Sequence, residues 1–248
     1  MSESAPFISV VTPSKNQAPF IEQTIQSVLN QNYPRFEHIV MDGASADGTV
    51  EILRRYPHLK WFSEPDRGQS HALNKAFKMA TGEIIAWINS DDWYAPQIFQ
   101  AIAEFFTANP EKNIVMGNCY WVDARGKTFD LKVNSERGFT ELKRYWFGNN
   151  IPTQPAIFFR RKLLAEFGLL DESLHYAMDY DLWMRLAQKN RFYHLNVPAA
   201  YYRFHAEAKG GDQDWKKFKP ELKLVYHRYV SKRIRCRDFF ERLLKIGK

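Results

Sequence analysis

Two adjacent carboxylates, Asp91 and Asp92, close the strand-forming run in AWINSDDWYAP, residues 86–96. Like charges side by side cost free energy unless something positive lies near them. Two chemistries fit the pair. A divalent cation such as Mg²⁺ or Mn²⁺ is held by one or two carboxylates plus the oxygens of a substrate phosphate. Bridging a diphosphate, it offsets the charge that builds on a leaving group. The plainer alternative is that the pair caps the next helix, with Asp92 ahead of Trp93 and Pro96.

Two other segments carry comparable chemistry. DGASADGT (42–49) sets Asp42 at a strand end, where a carboxylate accepts hydrogen bonds from a base or ribose. Its Asp47, Gly48 and Thr49 read as a turn and a helix cap. DRGQSHALNKA (66–76) brings Arg67 and a glycine to a helix start, a place suited to phosphate. The competing reading of Arg67 is a surface ion pair with Asp66 or Glu64.

These residues need elements to position them. Buried-type strands are expected at 7–13, 37–43, 59–65 and 82–88, and helical spacing of apolar residues recurs at 19–30, 47–55, 68–79 and 96–108. Strands separated by helical crossovers predict a mainly parallel sheet covered on both faces. Ligands of such sheets sit beyond the carboxyl ends of the strands, near the point where strand order reverses. Thr12, Pro13 and Ser14, then Asp42, Arg67, Asp91 and Asp92, each follow or end one of these strands. In the second half, strands are expected at 113–123, 152–161 and 192–205, a helix at 179–190, and a polar hairpin or loop at 124–140.

Composition narrows the class. The chain has 248 residues, with 45% hydrophobic and 25% charged residues, values that fit a globular domain with a sizeable core. Aromatic residues reach 15%, enough to fill a core and still stack on bases or sugars. Two cysteines without paired spacing, Cys119 and Cys236, argue against a disulfide framework or zinc site and fit a reducing compartment. The N-terminal residues lack a basic start, and no apolar run approaches the ~18 residues of a membrane span. A cytoplasmic protein, soluble or peripheral at the membrane, is expected. Residues 216–248 carry twelve Lys/Arg against three Asp/Glu, so the rest of the chain has a net charge of −2. The whole-protein charge of +7 therefore gives no support to nucleic-acid binding by the body.

Taken together, ISVVTPSKNQ, QSVLNQNYPRFEHIVMDGASADGT and DRGQSHALNKAFKMATGEIIAWINSDD resemble the nucleotide-sugar half of the family 2 glycosyltransferases, nearly continuously over residues 8–92. LLDESLHYAMDYDLWMRLA and YRFH fit as well. The resemblance implies a GT-A type α/β fold, Rossmann-like with a mainly parallel sheet flanked by helices, and transfer from a nucleoside diphosphate-sugar, a UDP-sugar by default. It implies that Thr12, Pro13, Ser14 and Asp42 line the base and ribose pocket and that Arg67 approaches the donor. It makes Asp92 the metal ligand and Asp91 a ribose or sugar contact, with Ser90 standing where many relatives carry a further aspartate. His205 matches a position that supplies a metal or diphosphate contact in some relatives. Asp179 matches the catalytic base of an inverting transfer, with Asp181 as support or cap; Gln154 and Trp183 are weaker acceptor-side candidates.

A nucleotidyltransferase would more naturally carry a Gly-rich phosphate loop after the first strand, and TPSKNQAP has no glycine. A nucleotide- or carbohydrate-binding module is the other alternative. The expected organisation is a catalytic domain over 1–214, with donor (7–110) and acceptor (111–214) halves, and a basic amphipathic helical tail over 215–248. That tail reads either as a membrane-surface helix, suited to a lipid-linked glycan acceptor in cell-surface polysaccharide synthesis, or as a helix packed on the domain.

Overall fold

The computed structural model describes residues 5–144, 151–209 and 215–230. One nine-stranded sheet organises them. Strands β1 (Ile8–Ser14), β2 (Phe36–Asp42), β3 (Leu59–Ser63) and β4 (Ile84–Trp87) pair in parallel in the order β3-β2-β1-β4. Helices α1 (Ile21–Leu29), α2 (Thr49–Arg54) and α3 (Gln69–Met79) make the crossovers. The chain builds outward from β1 to β3 and then returns to place β4 on the other side of β1. The strand order therefore reverses between β1 and β4, and the crevice beyond their carboxyl ends is the place for a ligand.

The remainder departs from the parallel expectation. Beyond a two-residue strand, β5 (Trp93–Tyr94), and helix α4 (Ile98–Ala108), β6 (Ile114–Val122) in the expected strand span forms a hairpin with β7 (Thr128–Lys132), which lies in the span expected to be a polar hairpin or loop. The short α5 (Phe139–Leu142) follows. The chain then re-enters the sheet from the carboxyl-end rim through a 3₁₀ turn at Gln154–Ala156. Consequently β8 (Ile157–Arg160) runs antiparallel to both β4 and β6. Pro152 and Pro155 carry no N–H for a ladder, which shortens this strand from the expected 152–161. After α6 (Lys162–Phe167) and α7 (Met178–Leu186), the long β9 (Tyr193–Arg203) pairs in parallel with β6 and antiparallel with β5.

Alternation along the strands sends side chains into two covering layers. Val11, Ile39, Met41, Ile85 and Trp87 join the core under α3, α7 and α8 (Trp215–Tyr229), while Ile8, Val10, Ile84, Ala86 and Ile88 pack with α4 on the other face. Trp183 belongs to the first core: it is fully buried, against Trp87, Phe159 and Phe192. It has no surface with which to touch an acceptor, so that expectation is corrected.

The start of the basic tail is also core. Leu222, Val225, Tyr226 and Val230 are buried in the same layer, leaving Lys217, Lys219 and Lys223 on the outside. These apolar residues of the tail are thus covered by the domain and form no free membrane face; residues 231–248, the rest of the expected tail, lie outside the described residues. No helix among the described residues is long and apolar enough to cross a membrane.

Candidate active site

A crevice of about 410 Å³ opens at the reversal point, within the size range of small-molecule sites. Its walls come from the ends of β1 (Pro13, Ser14 and Lys15), the start of α3 (Asp66, Gly68 and Gln69), the end of β4 (Asn89, Ser90 and Asp91), and the segment after β9 (Glu207 and Lys209). His175 and Tyr202 complete it. Ser14 Oγ is buried without a hydrogen-bond partner among the described residues.

The turn after β4 separates its two aspartates. Thr24 Oγ1 donates to the carbonyls of Ser90 (3.0 Å) and Asp92 (2.6 Å), fixing the main chain from the α1 side. Asp91 faces the crevice, with Oδ2 3.0 Å from His205 Nε2. Asp92 turns inward and is 1% exposed; its Oδ1 accepts from the Arg203 N–H at 2.9 Å, and Oδ2 has no partner among the described residues. Burial, reinforced by the neighbouring Asp91 charge, pushes the Asp92 carboxyl well above the usual range. Asp91 is thus the outward carboxylate, and Asp92 faces inward with one oxygen unpartnered among the described residues.

Asp91 and His205 supply one carboxylate and one imidazole, and no group of three His, Cys, Asp or Glu among the described residues could hold a metal unaided. This donor set fits a cation that takes its remaining ligands from a bound diphosphate and water.

Other expected residues are placed less directly. Thr12 is buried, its Oγ1 2.9 Å from His38 Nε2, so its side chain bonds beneath the crevice. Asp42 is held by Ser45 N–H (2.9 Å), Ser45 Oγ (2.5 Å) and Ser63 Oγ (2.6 Å), next to the wall that Ser14 forms. Arg67 points away and pairs with Glu172 at 2.6 Å, a partner different from the two weighed from sequence. Its neighbour Asp66 lines the crevice instead, with Oδ1 accepting the Gly68 N–H at 2.7 Å. Asp66 also comes close to the glycine of DGA: a Cβ on Gly43 would lie 2.5 Å from its carboxylate, which would have to shift. Gln154 is engaged locally, donating to Trp87 O at 2.6 Å and accepting from Asn89 Nδ2 at 3.2 Å.

Asp179 sits in the first turn of α7. Burial pushes its carboxyl up to about 6, against the opposing pull of the Tyr180 N–H, its own N–H and the Lys209 charge. Its own charge reaches Lys209 and Tyr202, two residues of the crevice wall. Lys209, which sequence reading missed, is an exposed residue of the crevice rim whose ammonium is lowered to about 8 by partial desolvation; Asp179, Glu221 and Asp91 oppose that fall. Asp181, two residues on, points into the body, where Arg185, Arg228 and Tyr229 satisfy it at 2.7–3.0 Å. The start of α7 is fixed from α8, where the Glu221 carboxylate accepts the N–H groups of His175, Tyr176 and Ala177 at 2.7–3.0 Å.

A parallel half-sheet with a reversal-point crevice, joined to an antiparallel half that delivers a carboxylate and an imidazole to its rim, is the GT-A architecture. The solved structures that it resembles have that fold. TarS of S. aureus, in complex with UDP-GlcNAc, aligns with a TM-score of 0.68 over 88% of this chain and 65% of that one, at 20% identity. The mannosyltransferase PcManGT of Pyrobaculum calidifontis, in complex with GDP-Man and Mn²⁺, gives 0.64 over 90% and 64%, at 23% identity.

The chain belongs to glycosyl transferase family 2, whose family model matches residues 9–168. Among named relatives, Bacillus subtilis TuaG, a glycosyltransferase named for teichuronic acid biosynthesis, is 36% identical over 110 residues; the match spans 42% of this chain and 44% of TuaG. An uncharacterized glycosyltransferase of Mycobacterium tuberculosis is 30% identical over 190 residues, 74% of this chain and 70% of the relative.

Proposed function

We propose that the chain transfers a sugar from a nucleoside diphosphate-sugar to a hydroxyl of a glycan or lipid-linked glycan, with inversion at the anomeric carbon. The observation that carries this reading is a crevice at the reversal point that one carboxylate faces and to whose wall a second is coupled. Asp91, paired with His205, faces it from the donor half, and Asp179, on α7 of the acceptor half, couples through its charge to Lys209 and Tyr202 of its wall, with a carboxyl raised to about 6. Near neutral pH a carboxylate of that kind is ionised yet basic enough to accept a proton in a transition state.

Pro13 and Ser14 would border the base and ribose end, with Asp42 beside Ser14 in the β1–β2 register, and Asp66 and Gln69 the donor wall. Asp91 and His205 would hold a divalent cation; when bound, it offsets charge on the diphosphate. Asp179 takes the acceptor hydroxyl proton as that oxygen bonds to the anomeric carbon. The bond from that carbon to the diphosphate oxygen breaks, and its electron pair leaves with the diphosphate. Lys209, still largely charged near pH 7, stands where it can stabilise that departing charge. The neighbours bound to UDP-GlcNAc and to GDP-Man with Mn²⁺ support the donor and metal classes, and TuaG supports a role in cell-surface polysaccharide synthesis.

Thermal unfolding with a panel of nucleoside diphosphates and their sugars, with and without Mn²⁺, tests the reading. A ligand that binds only the folded state stabilises it by RT ln(1 + [L]/Kd) and so raises the melting temperature. At least one donor is expected to do so more strongly with Mn²⁺. No shift with any member of the panel contradicts the assignment.

A further inference from the structure

Arg203, in the YRFH segment at the end of β9, is 4% exposed. Burying a guanidinium costs several kcal/mol unless its surroundings compensate, and here its donors go to neutral oxygens. Nε donates to Asp91 O (2.9 Å), Nη1 to Ala124 O (2.9 Å), and Nη2 to Gln23 Oε1. The ring of Trp93 lies 4.6 Å and that of Phe20 4.8 Å from its central carbon. Phe20 in turn lies 4.6 Å from the His205 ring. The main-chain N–H of Arg203 donates to Asp92.

Both members of the Asp91–His205 pair therefore hang on this one residue. Asp91 is tied through its carbonyl, and His205 through the two-residue link along the chain and through the shared Phe20 ring. We infer that Arg203 is a positioning residue that sets the gap between Asp91 and His205, and so the affinity of the pair for a divalent cation. The inference rests on the donor-site reading above. It uses the fork of the guanidinium, which spreads donors in three directions from one plane; an ammonium cannot reproduce that arrangement.

The experiment is titration calorimetry of UDP and of GDP, each with and without Mn²⁺, on wild type and Arg203→Lys, with a thermal melt for each protein. Arg203→Lys keeps the charge and loses the fork. The Mn²⁺-dependent gain in nucleotide affinity is expected to fall by roughly tenfold or more, the effect typical of losing a group that orients metal ligands. Metal-free affinity should match wild type. A purely structural role would lower the melting temperature and leave the gain intact. If Arg203→Lys does not fold, Gln23→Leu, at an exposed position, releases only Nη2 and is expected to give a smaller loss in the same direction. An unchanged gain in the folded variant overturns the positioning role while leaving the donor site standing. No gain in wild type with either nucleotide overturns both.

Discussion

At the scale of single residues, the site rests on neighbouring or near-neighbouring carboxylates given different environments. Asp91 and Asp92 are adjacent, yet one meets the crevice and the other the core. Asp91→Asn is therefore expected to abolish the Mn²⁺-dependent part of nucleotide binding measured by calorimetry. Asp92→Asn, which keeps an oxygen for the Arg203 N–H, should retain most of it. Equal losses in the two would contradict the separation of roles.

Asp179 yields a prediction with two signs. A carboxyl raised to about 6 binds its proton more tightly folded than unfolded, so ionising it costs stability as pH rises from the unfolded value toward 6. Asp179→Asn should therefore raise the melting temperature at pH 7 while lowering turnover. The acid limb of the wild-type rate should fall as pH drops through about 6. A melting temperature lowered at pH 7 would count against a carboxyl raised by desolvation.

At the scale of elements, α8 acts as a buttress. Its Glu221 accepts the N–H groups just ahead of α7, and its Arg228 and Tyr229 satisfy Asp181. Hydrogen bonds to a charged group contribute about 1.5–3 kcal/mol each. Glu221→Ala is expected to lower the melting temperature by several degrees and to reduce turnover more than donor affinity, because it loosens the helix that carries Asp179. Truncation after Asp214 should fail to give a cooperative melt, since it uncovers the core against Leu222, Val225 and Tyr226. A well-behaved truncated protein would show α8 to be an appendage.

A second element-scale test concerns the opposite end of the sheet. Glu37 is 6% exposed, and burial alone would raise its carboxyl; hydrogen bonds from Lys60, Ser9 and Thr81 outweigh that and lower it to about 2. Its stabilisation is complete above the unfolded value near 4.5 and is lost as pH falls through about 2. Glu37→Gln should accordingly be less stable than wild type at pH 7, with the difference shrinking on acidification. A difference that stays constant down to pH 2 would contradict this.

At the scale of the whole molecule, the parallel half was legible because buried strands and amphipathic helices each impose a period on the sequence. The antiparallel half was less so, because its order depends on where the chain crosses the rim. Pro152 and Pro155 mark that crossing in sequence but do not give its direction. Asp42, Asp91, Asp179 and His205 announce themselves as polar residues at element ends. Their orientation does not: adjacent residues in an irregular turn face opposite ways, so Asp91 and Asp92 could not be told apart, and Arg67 and Asp66 exchanged places similarly. Lys209 and Glu221 act through contacts that exist only once α8 and the segment after β9 fold back over α7.

The measurement closest to the central claim is nucleoside diphosphate release from a donor identified in the thermal panel. It is followed with Mn²⁺ in wild type and Asp179→Asn, beside calorimetric donor binding by both. The account predicts equal donor affinity and a turnover lower by about 10²–10⁴ in the variant, the range of general-base catalysis. Unchanged turnover, or donor binding lost together with it, would contradict the assignment of Asp179 as the base that acts across the crevice.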